Sequence, residues 1–247
     1  MASAHPSGPP GGPEIFATTH WSVVRGAGSA ETTRVKQALA QLCQSYWYPL
    51  YAYVRRRGYS SHDAEDLTQE FFSRLLEKNA FASAQQELGK FRTFLLGSMN
   101  HFLADEWDRA RAQKRGGGKI VPLDADAAEN RLAHEPAEPQ TPELIFERAW
   151  AVTILETVYA RLRSDYEGSG RGALFVELKF CLTGERSDVP YQQIAGRLGL
   201  SEAAVKVAVH RLRDRYRALL REEIANTVSH PGEVEEELRC LFKALAR

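Results

Sequence analysis

Apolar residues return every three or four positions along most of this chain, and no stretch reads convincingly as a strand. A chain patterned in this way buries stripes on helices, so an all-α fold is expected. The clearest run is Leu39, Leu42, Cys43, Tyr46, Trp47, Leu50 and Val54. Pro49 lies inside it and is expected to kink or split the helix, because proline lacks an amide proton and crowds the preceding turn. Arg55-Arg56-Arg57-Gly58 closes the run with positive charge and a glycine cap. A second helix is expected from Ser60 or Ser61, with Ala64, Leu67, Phe71 and Leu75 on its buried side. A third is expected from about Phe91 to Arg115, stopped by Gly116-Gly117-Gly118.

The stretch from about 119 to 140 combines acids, alanines, Pro136 and Pro139, and reads as a flexible, self-repelling linker. Thr141-Pro142-Glu143 then offers a cap residue followed by proline at the first helical position. Helices are expected from there to about Leu162, over about 171–182, and twice more within 191–223. The expected architecture is two small helical bundles joined by the acidic linker. Its divisions are a disordered leader at 1–18, a first bundle at 19–116, the linker at 117–140, a second bundle at 141–224 and a tail at 225–247.

The N-terminal MASAHPSGPPGGPE lacks a basic start and an apolar core, so it is not a secretory signal. No stretch nears the roughly 18 unbroken apolar residues of a membrane span, and no membrane insertion is expected. Cys43, Cys181 and Cys240 are odd in number and form no CxxC pair, which suits reduced packing thiols in the cytoplasm. The seven histidines lack the i, i+4 pairing of a helix-borne metal site. Neither a metal nor a cofactor is expected.

Lysines and arginines equal acids, 32 to 32, which by itself disfavours nucleic acid as a partner. The charge is segregated, however. Arg109, Arg111, Lys114, Arg115 and Lys119 occur without an acid between them, and the chain turns basic again from Lys206 to Arg221. A local basic face is what DNA requires.

The strongest motif is YQQIAGRLGLSEAAVKVAVHRLRDRYRALL, residues 191–220, with the layout of a helix-turn-helix. Ala195 is small where two helices cross. Gly199 permits a left-handed turn, and Ser201 caps the second helix. Ile194, Leu200, Val205 and Ala208 are expected to fill the shared core. On a wheel of about 100° per residue, Val205, Ala208, Val209, Leu212, Tyr216 and Leu219 make an apolar face. Lys206, His210, Arg213 and Arg217 make a basic face beside it, flanked by Arg211, Arg215 and Arg221. Ala203, Lys206, Val207 and His210 are placed to reach base edges, and the arginines to grip phosphate.

Two further helices carry signals. Phe91 to Trp107 is aromatic and runs into a basic tail, the pairing that binds single-stranded DNA, although aromatics at helical spacing usually form core. Trp107, near the basic end, is the best stacking candidate. In the second helix Asp63, Asp66, Gln69 and Glu70 share one face, which suits a protein partner.

SHDAEDLTQEFFSRLLEK resembles the DAEDLxQExFxRLW signature of the sigma-70 family. GKFRTFLLGSMNHFLADEWDRARAQKR looks like the family's next helix, and residues 191–220 resemble its −35-reading domain. With two such domains and a short linker, the likeness is to the extracytoplasmic-function class. It implies a non-enzymatic protein that binds core RNA polymerase and promoter DNA, with an anti-sigma protein as a further partner. Asp63, Asp66, Gln69 and Glu70 would dock on the clamp helices of the largest polymerase subunit. Asn100, Trp107, Arg109, Arg111, Lys114 and Arg115 would handle the −10 element. Ser201, Ala203, Lys206, Val207, His210, Arg211, Arg213 and Arg217 would handle the −35 element. Ala208 and Ala104 depart from the family pattern, where an arginine and an aspartate are common.

Two other readings compete. Gly116-Gly117-Gly118-Lys119 lacks the spacing, the Ser or Thr and the preceding strand of a phosphate loop, so an enzyme is disfavoured. A helix-turn-helix regulator that does not guide polymerase remains open, although it has no need of the DAEDLTQE helix. The tail carries Val234, Leu238, Leu241, Phe242 and Leu245 on one expected helix face, with Glu233, Glu235, Glu236 and Glu237 in the first turn. That stripe is expected to bury itself either on the second bundle or across the basic recognition helix.

Overall fold

The computed structural model describes residues 33–77, 90–112, 141–182 and 189–246. The expected leader, the linker and the basic pair Lys114 and Arg115 lie outside the described residues. Within them are eight α-helices and no strand. The first three are α1 (Thr33–Arg56), α2 (Ser61–Glu77) and α3 (Phe91–Ala112). Then come α4 (Pro142–Gly168), α5 (Gly172–Leu178), α6 (Tyr191–Leu198), α7 (Glu202–Ala225) and α8 (Val234–Leu245). Short 3₁₀ turns continue α5 over Lys179–Leu182 and precede α8 over Pro231–Glu233.

Pro49 does not split α1, which runs through it. Proline in a helix interior costs about 3 kcal/mol. Burial outweighs that here. Tyr46, Leu50, Tyr51, Tyr53 and Val54 are all fully buried, each apolar side chain contributing about 1.5–3 kcal/mol. The Trp47 and Tyr51 rings also stack at 5.3 Å across the proline turn.

The Ser60 hydroxyl caps α2, accepting the Asp63 N–H at 3.2 Å. Phe71 of α2 meets Phe102 of α3 edge-on at 5.7 Å. Arg74 lies over the Phe102 ring at 5.0 Å and reaches Glu70 and Glu106, tying α2 to α3. In the second bundle Thr141 caps α4 as expected, accepting the Leu144 N–H at 3.4 Å.

The two bundles pack against each other. The most extensive helix–helix contact is α1 on α4. Tyr46, Leu50 and Tyr53 of α1 share one continuous core with Ile145, Phe146, Trp150 and Ile154 of α4. Tyr53 and Phe146 meet edge-on at 6.4 Å. α8 lies against α4 and α7. Its stripe is rotated from the expected one: Glu237 is fully buried and Phe242 is 56% exposed. Val234, Glu237, Leu241 and Ala244 recur at i, i+3, i+7 and i+10, so Glu237 belongs to the buried seam despite its charge.

Candidate polymerase and nucleic-acid interface

α2 packs on α1 and α3 through Ala64, Phe71, Phe72 and Leu75. Its polar edge therefore points away from both. Asp63 is exposed on that edge, and Asp66, Gln69 and Glu70 are half-buried. Their commitments differ. Asp63 accepts from the Ser60 hydroxyl at 2.7 Å and belongs to the cap. Glu70 belongs to the Arg74 tie. Gln69 donates to Glu65 at 3.3 Å. Asp66 faces the exposed His62 imidazole at 3.6 Å. The edge is acidic and outward, which suits a basic protein surface.

On α3 the aromatic residues divide sharply. Phe91, Phe94 and Phe102 are core, whereas Trp107 is 56% exposed. Trp107 thus keeps the stacking role open to it, and the three phenylalanines do not. Asn100 is half-buried, with its carboxamide oxygen 2.6 Å from the Tyr53 hydroxyl and 3.5 Å from Arg57. Burial raises the Tyr53 phenol above its ordinary value, against the opposing pull of Arg57. Arg109 is exposed and donates to Glu106 at 2.6 Å. The side chain of Arg111, like Lys114 and Arg115, lies outside the description.

An outward acidic helix edge is thus followed by a helix with an exposed indole near its C-terminal end. Residues 42–113 match the family model Sigma-70 region 2. No curated protein and no solved structure matches the chain. The region 2 match spans α1 from Leu42 through α3. It supports membership of the sigma-70 family and a role in binding RNA polymerase and recognising promoters.

Behind region 2, α6 and α7 meet at the expected helix-turn-helix. Gly199 takes φ +65° and ψ +30°, and the Leu200 N–H returns to the Ala195 carbonyl at 2.9 Å. Ser201 accepts the Ala204 N–H at 3.2 Å and caps α7. Ile194, Ala195, Val205, Val209 and Leu212 are buried. Leu200 is not: at 41% exposure it sits on the outside of the turn between Gly199 and the cap. A Cβ on Gly199 would meet nothing within 4 Å, so its cost is purely one of backbone conformation. Gly199→Ala is expected to lower the unfolding free energy by about 1 kcal/mol in urea titration, with little change in helix content.

Ala203, Lys206, Val207 and His210 are exposed together on α7, with Val207 at 51%. Lys206 pairs with Glu202 at 2.7 Å, whose hydrogen bond and charge raise the lysine pKa. His210 and Arg217 both engage Asp214, at 2.7 and 3.0 Å. Arg211 is exposed. Arg213 donates through Nε to the Cys181 carbonyl at 3.1 Å, so it holds the 3₁₀ turn after α5 as well as presenting charge. Arg215 reaches Asp165 of α4 at 2.6 Å. The tail helix meets α7 through Arg221 and Glu235 and leaves Lys206 and His210 exposed. It therefore does not cover the Lys206–His210 part of α7.

The described residues missed by pattern reading are Lys90, Arg92, Glu147 and Glu237, which meet between the bundles. The three cysteines are free thiols, and burial pushes Cys43 up to about 12. Among the described residues no helix is long and apolar enough to cross a membrane, and no group of three metal-ligating side chains occurs.

Proposed function

We propose that the chain is an extracytoplasmic-function class sigma factor acting in the cytoplasm. The observation that carries this reading is the region 2 match over helices whose outward edge is acidic, joined to a helix-turn-helix with an exposed Lys206–Val207–His210 face. In this reading Asp63, Asp66, Gln69 and Glu70 dock on the clamp helices of the largest polymerase subunit. Asn100, Trp107, Arg109, Arg111, Lys114 and Arg115 engage the −10 element, where Trp107 stacks on an unpaired base. Ser201, Ala203, Lys206, Val207, His210, Arg211, Arg213 and Arg217 engage the −35 element, with arginine on phosphate and Lys206 and His210 at base edges. An anti-sigma protein is a further partner open to this class.

Gel filtration with core RNA polymerase tests the reading, followed by run-off transcription on genomic fragments. Co-elution and a discrete core-dependent transcript are expected. DNA binding without core binding would return the chain to the class of helix-turn-helix regulators.

The two kinds of contact on α7 separate by their salt and sequence dependence. Arg217→Ala is expected to weaken binding on all sequences and reduce the salt slope by about one. Lys206→Ala is expected to change preference at the −35 element by about 1–3 kcal/mol. Equal losses on every sequence from both variants would mean that α7 grips without reading.

A further inference from the structure

Asn100 has one end of its carboxamide committed within region 2 and the other end uncommitted. The Tyr53 hydroxyl donates to its Oδ1 at 2.6 Å, and Arg57 Nη1 donates to the Tyr53 oxygen at 3.2 Å. Arg57 also lies 3.5 Å from Asn100 Oδ1, and its guanidinium sits 5.7 Å from the centre of the Tyr53 ring. The direction of this relay is forced. A guanidinium can only donate, so it takes a lone pair of the Tyr53 oxygen and turns the phenolic proton toward Asn100. Tyr53 is buried, and burial keeps its phenol protonated, so the donor persists. A second acceptor, Glu143 Oε1, lies 3.4 Å from the hydroxyl, but the shorter contact goes to Asn100. A reversed carboxamide would set its NH₂ group against Arg57, donor on donor. Asn100 Nδ2 has no partner among the described residues and is not sealed from solvent.

Asn100 also stands on the face of α3 that carries Trp107. The two sit at i and i+7, within about 20° of each other around the helix and about 10 Å apart along it. A single strand that stacks a base on the exposed Trp107 indole therefore passes Asn100 within about three nucleotides. A carboxamide with both ends free favours adenine, whose amino donor and ring acceptor it matches together. Asn100 lacks that option, because Tyr53 occupies its acceptor. Its Nδ2 can only donate, and the strongest acceptors on a base are carbonyl oxygens. Thymine, cytosine and guanine carry them, and adenine has none. The geometry points to Arg57 and Tyr53 as positioning residues that make Asn100 a one-way donor, selecting a carbonyl-bearing base over adenine at one position of the −10 element. This deepens the sigma-factor reading above and rests on it. The buried Tyr53 acts through Asn100 and needs no contact with DNA of its own.

The test uses the holoenzyme formed from core polymerase and the full chain, on a genomic promoter fragment identified by run-off transcription. Forked versions of its −10 element, with each unpaired base replaced in turn by the other three, are titrated by fluorescence anisotropy. Wild type is expected to bind about tenfold more weakly when one position carries adenine than when it carries a carbonyl base, the scale of one hydrogen bond. Asn100→Ala is expected to erase that penalty and so to identify the position. Tyr53→Phe removes a single oxygen and frees Oδ1, and is expected to shrink the adenine penalty to within about twofold at that position alone. Arg57→Met, at the exposed end of α1, is expected to move the penalty the same way by less, which covers the case of a phenylalanine variant that does not fold. A merely structural role for Tyr53 would weaken binding to all bases alike and leave the adenine ratio where it was. A wild-type adenine ratio in either folded variant overturns the relay, as does a wild-type chain with no adenine penalty that Asn100→Ala erases. A wild-type chain that gives no core-dependent transcript overturns the sigma-factor reading instead, and the base preference falls with it.

Discussion

Asp66→Arg is expected to lower affinity for core RNA polymerase by at least about 100-fold. A like charge set against a basic docking surface costs several kcal/mol, and every 1.4 kcal/mol is a factor of ten. Asp66 is the appropriate position because its neighbours on the acidic edge serve the fold as well. Asp63 takes part in the α2 cap, and Glu70 holds Arg74, which spans to Glu106 and Phe102. Reversing Glu70 would loosen α2 from α3 and confuse the result. Asp66 has a partly exposed side chain and an exposed histidine partner, so its replacement should cost under about 0.5 kcal/mol of stability. Gel filtration or fluorescence anisotropy with labelled core enzyme measures the loss. A folded Asp66→Arg protein with unchanged core affinity would remove this edge of α2 from the polymerase interface.

Trp150→Ala is expected to lower the unfolding free energy by about 3–5 kcal/mol. Trp150 is fully buried at the centre of α4 and carries the Arg92 guanidinium on its ring. Truncation leaves a cavity under α1 and takes away the cation–π contact in one step. Because α1 and α4 share that core, the loss should fall on both bundles. Urea unfolding followed by far-UV circular dichroism and by tyrosine and tryptophan fluorescence should show one transition displaced to lower denaturant. Two transitions, with region 2 unfolding at its wild-type midpoint, would show that the bundles are independent folding units.

Local features of this fold are legible in the sequence because local physics sets them. The cap at Ser201, the glycine at Gly199 and the start at Thr141 each satisfy orphan amides or a left-handed turn within four residues, and each stands where the pattern puts it. The apolar face of α7 is legible for the same reason. Reading Pro49 as a split misleads because intrinsic propensity is a weak prior against the burial of Tyr46, Leu50 and Tyr53. Glu237 misleads differently. A glutamate in the first turn of a helix reads as a solvated dipole partner, and only the cations of Lys90 and Arg92, far earlier in the chain, make it a buried residue. Pairings over such distances leave no periodic trace in either segment. Trp107 is set apart from Phe91, Phe94 and Phe102 in the sequence by the arginines beside it, and its exposure among those buried rings agrees with that reading.

The Arg92–Glu237 pair also orders events in time. Ribosomes add about 5–20 residues per second, so the 145 positions between the two partners take on the order of 7–30 s to synthesise. During that interval the Arg92 cation awaits the Glu237 carboxylate, and until α4 over Pro142–Gly168 is made the face of α1 lies open as well. The nascent chain therefore offers a greasy surface until α4 emerges and an incompletely paired cation until α8 follows, the kind of exposure that chaperones capture and that makes early termination costly.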